Sequence, residues 1–82
     1  MDIVFAPRKI ARLMVEVFVT DIPTIDFANQ VYQQIQGLLP AARITFDLED
    51  CDRILKIEDN DIDSEQVIHL LSTLGFMCRV LV

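Results

Sequence analysis

Apolar and polar positions alternate along four segments of the chain, and each such segment predicts a β-strand. In LMVEVFVTD (residues 13–21), every second residue from Val15 to Val19 is a valine, and Met14, Glu16, Phe18 and Thr20 occupy the positions between. This two-residue period is typical of a strand. We expect the β-branched valine row to face the core. The segments ARITFDLE, RILKIE and MCRVLV alternate in the same way.

Two segments show the three-to-four-residue spacing of an amphipathic helix instead. The first carries Phe27, Ala28, Val31, Ile35 and Leu38, and the second carries Val67, Leu70, Leu71 and Leu74. Thr24 and Asp63 precede these stripes and are the predicted N-caps. Gly37 and Pro40 mark the end of the first helix, and Gly75 lies where a left-handed residue ends the second.

The order strand, helix, strand, strand, helix, strand predicts a ferredoxin-like βαββαβ fold in the α+β class. Right-handed crossovers give a four-stranded antiparallel sheet of spatial order 4-1-3-2 with both helices on one face. We expect residues 13–82 to form this single domain. Residues 1–12 hold Pro7 and a basic cluster without clear period, and are predicted to be a flexible leader or an added edge strand. Translation from Met14 is a further possibility.

Composition and charge exclude several functional classes. The 82 residues are 52% hydrophobic and 24% charged, which is not the composition of a disordered chain. No apolar run is long enough to span a bilayer and none resembles a signal peptide, so a cytoplasmic protein without membrane contact is expected. The net charge of −6 disfavours nucleic-acid binding. With two glycines and one histidine, His69, no phosphate loop or catalytic set can be built, so no enzyme activity is predicted.

Residues 14–82 resemble a heavy-metal-associated domain, the module of copper chaperones and metal-pumping ATPases. The similarity lies in LLPAARITFDLED, in DIDSEQVIHLLSTLGF and in Ile22, which stands where that family carries a core methionine. The resemblance implies a metal-binding cysteine pair at positions that here hold Thr24 and Phe27. Neither is a soft ligand for copper or zinc, so the metal motif is missing and no cofactor is expected. The segment DLEDCDRILKIE also resembles a group of small bacterial proteins, which implies no activity.

The two cysteines leave one alternative open. In the predicted fold the first strand–helix loop, the turn at residues 50–52 and the turn after Gly75 share one end of the sheet. Cys51 and Cys78 would then lie closer than their sequence separation suggests, and a thiol-based metal or redox sensor could use them. Cys78 alternates with Val80 and Val82, however, which favours a small buried residue. Carboxylates at the same end, Asp21, Asp26, Glu49, Asp50 and Asp52, lack the spacing of a calcium loop.

The sheet face away from the helices is the leading candidate for function. Met14, Phe18, Ile54 and Leu81 are predicted to project there among polar side chains. An apolar face of this kind typically meets a protein, a second copy of the chain, or the chain's own leader. The sequence therefore favours a non-enzymatic interaction module that binds a protein partner or forms a homodimer, through this face or an edge strand.

Overall fold

The computed structural model describes residues 13–82 and contains four strands and two helices. In chain order these are β1 (Met14–Thr20), α1 (Ile25–Leu38), β2 (Arg43–Asp47), β3 (Ile54–Asp59), α2 (Ser64–Thr73) and β4 (Cys78–Val80). The prediction for residues 1–12, a flexible leader or an added edge strand, lies outside the described residues.

The strands form one sheet in the order β2-β3-β1-β4, and every neighbouring pair is antiparallel. Read from the opposite edge, the order is β4-β1-β3-β2. The predicted α+β class, with two helices and a four-stranded antiparallel sheet, is confirmed. Strands β1 and β3 are central, whereas β2 and the three-residue β4 are the edges.

Both helices begin at their predicted N-caps and α2 ends before Gly75 as predicted, whereas α1 continues through Gly37 to Leu38. The Thr24 hydroxyl accepts a hydrogen bond from the Phe27 amide at 3.4 Å, and an Asp63 carboxylate oxygen accepts one from the Glu65 amide at 3.1 Å. Each satisfies an amide that the first helical turn leaves without a partner. Gly75 follows α2 with φ +95°, a conformation that side chains with a Cβ rarely adopt.

The core lies between the sheet and the two helices. Its largest fully buried side chains are Phe18, Ile22, Ile35, Leu55, Ile57, Leu71, Val31 and Val67. The buried stripes of the helices are narrower than predicted, because Phe27 is 41% exposed and Leu74 is 36% exposed.

The faces of β1 are the reverse of the prediction. Phe18 is fully buried and Met14 packs against the core, so neither lies on the open face. Val15 is 52% exposed on that face, and Val17 is partly exposed there. The prediction was wrong because it followed β-branching and the wholly apolar valine row, whereas the opposite row mixes Met14 and Phe18 with the polar Glu16 and Thr20. Burying one large phenylalanine removes more apolar area from water than burying a valine.

Thr20 holds β1 in this orientation. It is a buried polar residue, 3% exposed. Its hydroxyl donates to the Arg53 carbonyl at 2.6 Å and accepts from the Ile22 amide at 3.3 Å. The hydroxyl therefore makes one hydrogen bond as donor and one as acceptor. Both lie on the helix-covered face of the sheet, where Phe18 is also buried.

Candidate functional site

Three connections meet at one end of the sheet, as the topology predicts. The Thr20 amide donates to the Asp52 carbonyl at 3.1 Å, and the Met77 amide donates to Asp21 Oδ1 at 2.8 Å. Arg53 adds a third link, because its Nη1 donates to the Pro23 carbonyl at 3.2 Å. These contacts connect the β1–α1 loop to the β2–β3 turn and to the segment that precedes β4.

The two positions that the resemblance assigns to metal-binding cysteines have structural roles here. The Thr24 hydroxyl caps α1. The Phe27 ring meets the Phe76 ring edge to face, with 5.5 Å between centroids and an interplanar angle of 68°. Oxygen and aromatic carbon do not supply the thiolate ligands that soft metals require.

The two cysteines lie in different environments, one buried and one exposed. Cys78 belongs to the core cluster, opposite Thr20 in the sheet, and burial raises the pKa of its thiol to about 11. Its thiol therefore stays protonated at neutral pH. Cys51 is exposed in the β2–β3 turn. Its sulfur lies within 4.8 Å of carboxylate oxygens of Asp50 and Asp52, but Asp50 Oδ1 also accepts from the Asp52 amide at 2.8 Å.

The open face of the sheet consists of three rows of side chains that run across the strands. The strand registers give these rows as Asp47, Ile54, Val19 and Arg79; Thr45, Lys56, Val17 and Leu81; and Arg43, Glu58 and Val15. Among the described residues, neither helix packs on this face. Of the four predicted members, Ile54 and Leu81 are therefore present, and Met14 and Phe18 are replaced by Val15 and Val17.

Exposed apolar area on this face comes from a few aliphatic side chains. Val15 is 52% exposed and Leu81 is 45% exposed, whereas Val17 and Ile54 are partly exposed. Val19 is almost buried at 3%. Beside them, Thr45, Phe46, Asp47, Ile54 and Lys56 line a shallow depression of about 290 Å³ at the β2–β3 side. The face therefore combines exposed aliphatic groups on its central strands and at Leu81 with a recess on the β2–β3 side.

Charge is distributed unevenly between the open face and the rest of the described residues. Residues 13–82 carry twelve carboxylates and four lysine or arginine side chains. Three of the cations, Arg43, Lys56 and Arg79, lie on the open face with only two of the carboxylates, Asp47 and Glu58. Lys56 and Glu58 form an ion pair at 3.6 Å. The open face is thus close to neutral, whereas the remaining described surface is strongly acidic.

Two further grooves lie on the helical side, and neither brings together a catalytic set. One, of about 520 Å³, is lined by the first turn of α1 together with Phe46–Glu49 and Arg53. The other, of about 480 Å³, lies between Leu38 and α2 and includes the exposed His69. Glu65 and Gln66 line that groove together with His69. No described serine or cysteine that could act as a nucleophile lines it.

No protein-family model, no curated protein and no solved structure matches this chain. No family is therefore assigned to it. Neither described helix is long and apolar enough to cross a membrane.

Proposed function

We propose that this chain is a non-enzymatic protein-interaction module of ferredoxin-like βαββαβ topology, and that it binds through the open face of its sheet. The observation that carries the proposal is the exposed aliphatic set Val15, Val17, Ile54 and Leu81 on a face that neither described helix covers. The α+β fold with two helices and a four-stranded antiparallel sheet supports this topology, and positions 24 and 27, where the resemblance implies metal-binding cysteines, hold Thr24 and Phe27.

The physical basis is the free energy of removing these side chains from water. Burial of an exposed valine or leucine side chain contributes about 1.5–3 kcal/mol, and the half-exposed Val15 and Leu81 retain part of that amount. The polar side chains on the edge strands, such as Thr45 and Arg79, match the polar rim of a protein interface.

The experiment places a photoreactive amino acid on each side of the molecule. Thr45 is exposed at the centre of β2 on the open face, and Gln33 is exposed on α1 and serves as the matched control. We expect a protein adduct from the Thr45 position, identified by mass spectrometry, and a loss of that adduct when Val17→Asp is added. Equal adducts from both positions, or none from Thr45, would refute the proposal.

A second candidate is a thiol-based metal or redox sensor that uses Cys51. It is favoured by the sulfur and the carboxylate oxygens of Asp50 and Asp52 lying within 4.8 Å of one another on the exposed turn. Cys78 contributes less to this candidate than predicted, because its thiol is protonated and packed in the core.

Titration with Zn²⁺ followed by NMR separates the candidates. A sensor requires shifts at residues 50–52 that Cys51→Ser abolishes and Cys78→Ala retains. Shifts that are absent, or that persist in Cys51→Ser, eliminate the sensor and leave the interaction module unaffected.

A further inference from the structure

One row of the open face lies nearest the end of the sheet where the three connections meet. This row carries a negative charge at one end and a positive charge at the other, so two copies of it in opposite directions are complementary. It reads Asp47, Ile54, Val19, Arg79 from β2 to β4, because Asp47 pairs with Ile54 and Val19 pairs with Arg79. Both pairs lie one residue beyond the level of Phe18 and Leu55. The row therefore has a carboxylate on β2, aliphatic side chains on β3 and β1, and a guanidinium beside them on β4.

Asp47 and Arg79 cannot pair with each other in one molecule. They stand on the two edge strands, three strand spacings apart, or about 14 Å at ~4.8 Å per spacing. A twofold axis that runs parallel to the strands between two facing sheets places β4 of one copy over β2 of the other, and β1 over β3. Arg79 of each copy then faces Asp47 of the other, and the aliphatic centres face each other.

The middle row fits the same arrangement. Leu81 comes to lie over Thr45 of the other copy, next to the recess that Thr45, Phe46 and Ile54 help to line. Val17 comes to lie over Lys56, whose aliphatic stem can pack against it while the ammonium group remains in water.

Long-range charge also favours this face in a contact where both copies use the same surface. The described residues outside it carry ten of the twelve described carboxylates and one cation, Arg53. Two copies that bring these acidic surfaces together repel each other, whereas the open face carries three cations and two carboxylates. Among twofold contacts, open face to open face is therefore the least repulsive.

From this juxtaposition, we propose that the partner of the open face is a second copy of the chain, in a twofold sheet-to-sheet dimer with reciprocal Arg79–Asp47 contacts. This inference rests on the proposed function and names the partner for it. The face is roughly 14 Å by 13 Å between backbone positions, which is small beside the ~800 Å² per partner of a stable interface. The dimer is therefore weak and forms at high protein concentration.

The experiment is sedimentation equilibrium of the full chain from about 10 µM to about 1 mM, the range in which weak complexes dissociate. We expect the wild type to self-associate. Asp47→Arg and Arg79→Asp each place like charges together at both contacts, and each should weaken association about tenfold or more, since close interfacial charge pairs couple by at least ~1.5 kcal/mol. An equimolar mixture of the two variants pairs opposite charges again and should restore association.

Glu65→Lys is the matched control, because it changes net charge as Asp47→Arg does but lies exposed at the start of α2. It should not weaken association. Circular dichroism confirms that the variants, all at exposed positions, remain folded.

Three results would overturn the inference. They are a wild type that stays monomeric throughout the range, a mixture that fails to recover association, and concentration-independent nuclear Overhauser contacts from Ile3–Phe5 to Val15, which would identify the chain's own leader as the occupant. In any of these cases, a Thr45 adduct with a different protein would leave the proposed function standing, whereas no adduct would remove both.

Discussion

The two faces of the sheet use the same central strand in opposite ways. On the helix-covered face β1 contributes Phe18, which is fully buried with Leu55 and Ile57. On the open face it contributes Val15, which is 52% exposed, although valine is the stronger strand former. In β1, side-chain size and the long-range hydrogen bonds of Thr20, and not β-branching, therefore go with the row that becomes core.

The largest expected effect comes from truncating one residue on each face. Phe18→Ala should lower the free energy of unfolding by about 3–5 kcal/mol, because it leaves a cavity in the core. Val17→Ala, on the adjacent position of the same strand, should cost about 1 kcal/mol or less, because Val17 is partly exposed. Urea unfolding measures both, and a larger loss for Val17 would reverse the assignment of the faces.

Removing the side-chain hydrogen bonds of Thr20 should cause the next largest loss of unfolding free energy. Thr20→Val keeps the shape but leaves the Arg53 carbonyl and the Ile22 amide without their partner, and should cost about 1–3 kcal/mol. Thr20→Ser retains the hydroxyl and should recover most of that loss. Equal losses for the two variants in the same unfolding experiment would mean that the hydroxyl does not fix the strand.

Alanine substitutions at the two glycines should change the free energy of unfolding in opposite directions. A Cβ at either position meets no atom within 4 Å, so backbone conformation alone decides the outcome. Gly75→Ala forces φ +95° on alanine and should lower stability by about 1 kcal/mol or somewhat more. Gly37→Ala lies within α1 and should raise stability by roughly 0.5–1 kcal/mol. A stabilising Gly75→Ala, measured by thermal unfolding, would contradict the left-handed turn.

The smallest expected effect separates the two thiols. A maleimide should label Cys51 in the folded chain at neutral pH and reach Cys78 only after unfolding, because Cys78 is buried. Rapid labelling of both, counted by mass spectrometry, would show that Cys78 is not part of the core.

The raised pKa of Cys78 also predicts a direction for stability against pH. Burial raises the pKa of the Cys78 thiol from 9.0 in the unfolded chain to about 11 in the folded chain. The unfolded chain therefore loses this proton first as pH rises. The contribution of Cys78 to the free energy of unfolding is complete below pH 9.0 and is lost as pH rises through about 11. Denaturant unfolding across that range should show this decline in wild type and a smaller one in Cys78→Ala.

Prediction from the sequence was most successful at helix ends, where particular residue types have a specific local role. Thr24, Asp63 and Gly75 mark helix ends through hydrogen bonds and backbone angles that are local to the chain, and each lies where it was predicted. The elements that these residues delimit, and the antiparallel sheet, followed from local periodicity.

The candidate face was harder to predict, because each row of β1 carries apolar side chains and the two-residue period does not say which row is buried. The contacts that decide the matter join Thr20 to Arg53 and Asp52, more than thirty residues away. The size of Phe18 was the one signal in the sequence that pointed the right way. The row of Asp47, Ile54, Val19 and Arg79 depends on pairing across all four strands, so only the register could reveal it.

The most direct test of the open face as the contact between two copies of the chain is the amide NMR spectrum of the full chain, compared between dilute and concentrated solutions. Association through this face should move the resonances of Val15, Val17, Ile54 and Leu81 together, and leave those of Gln33 and Ser72 on the helices unchanged. Shifts confined to the helices or to the Phe27–Phe76 end, or a spectrum that does not change with concentration, would contradict it.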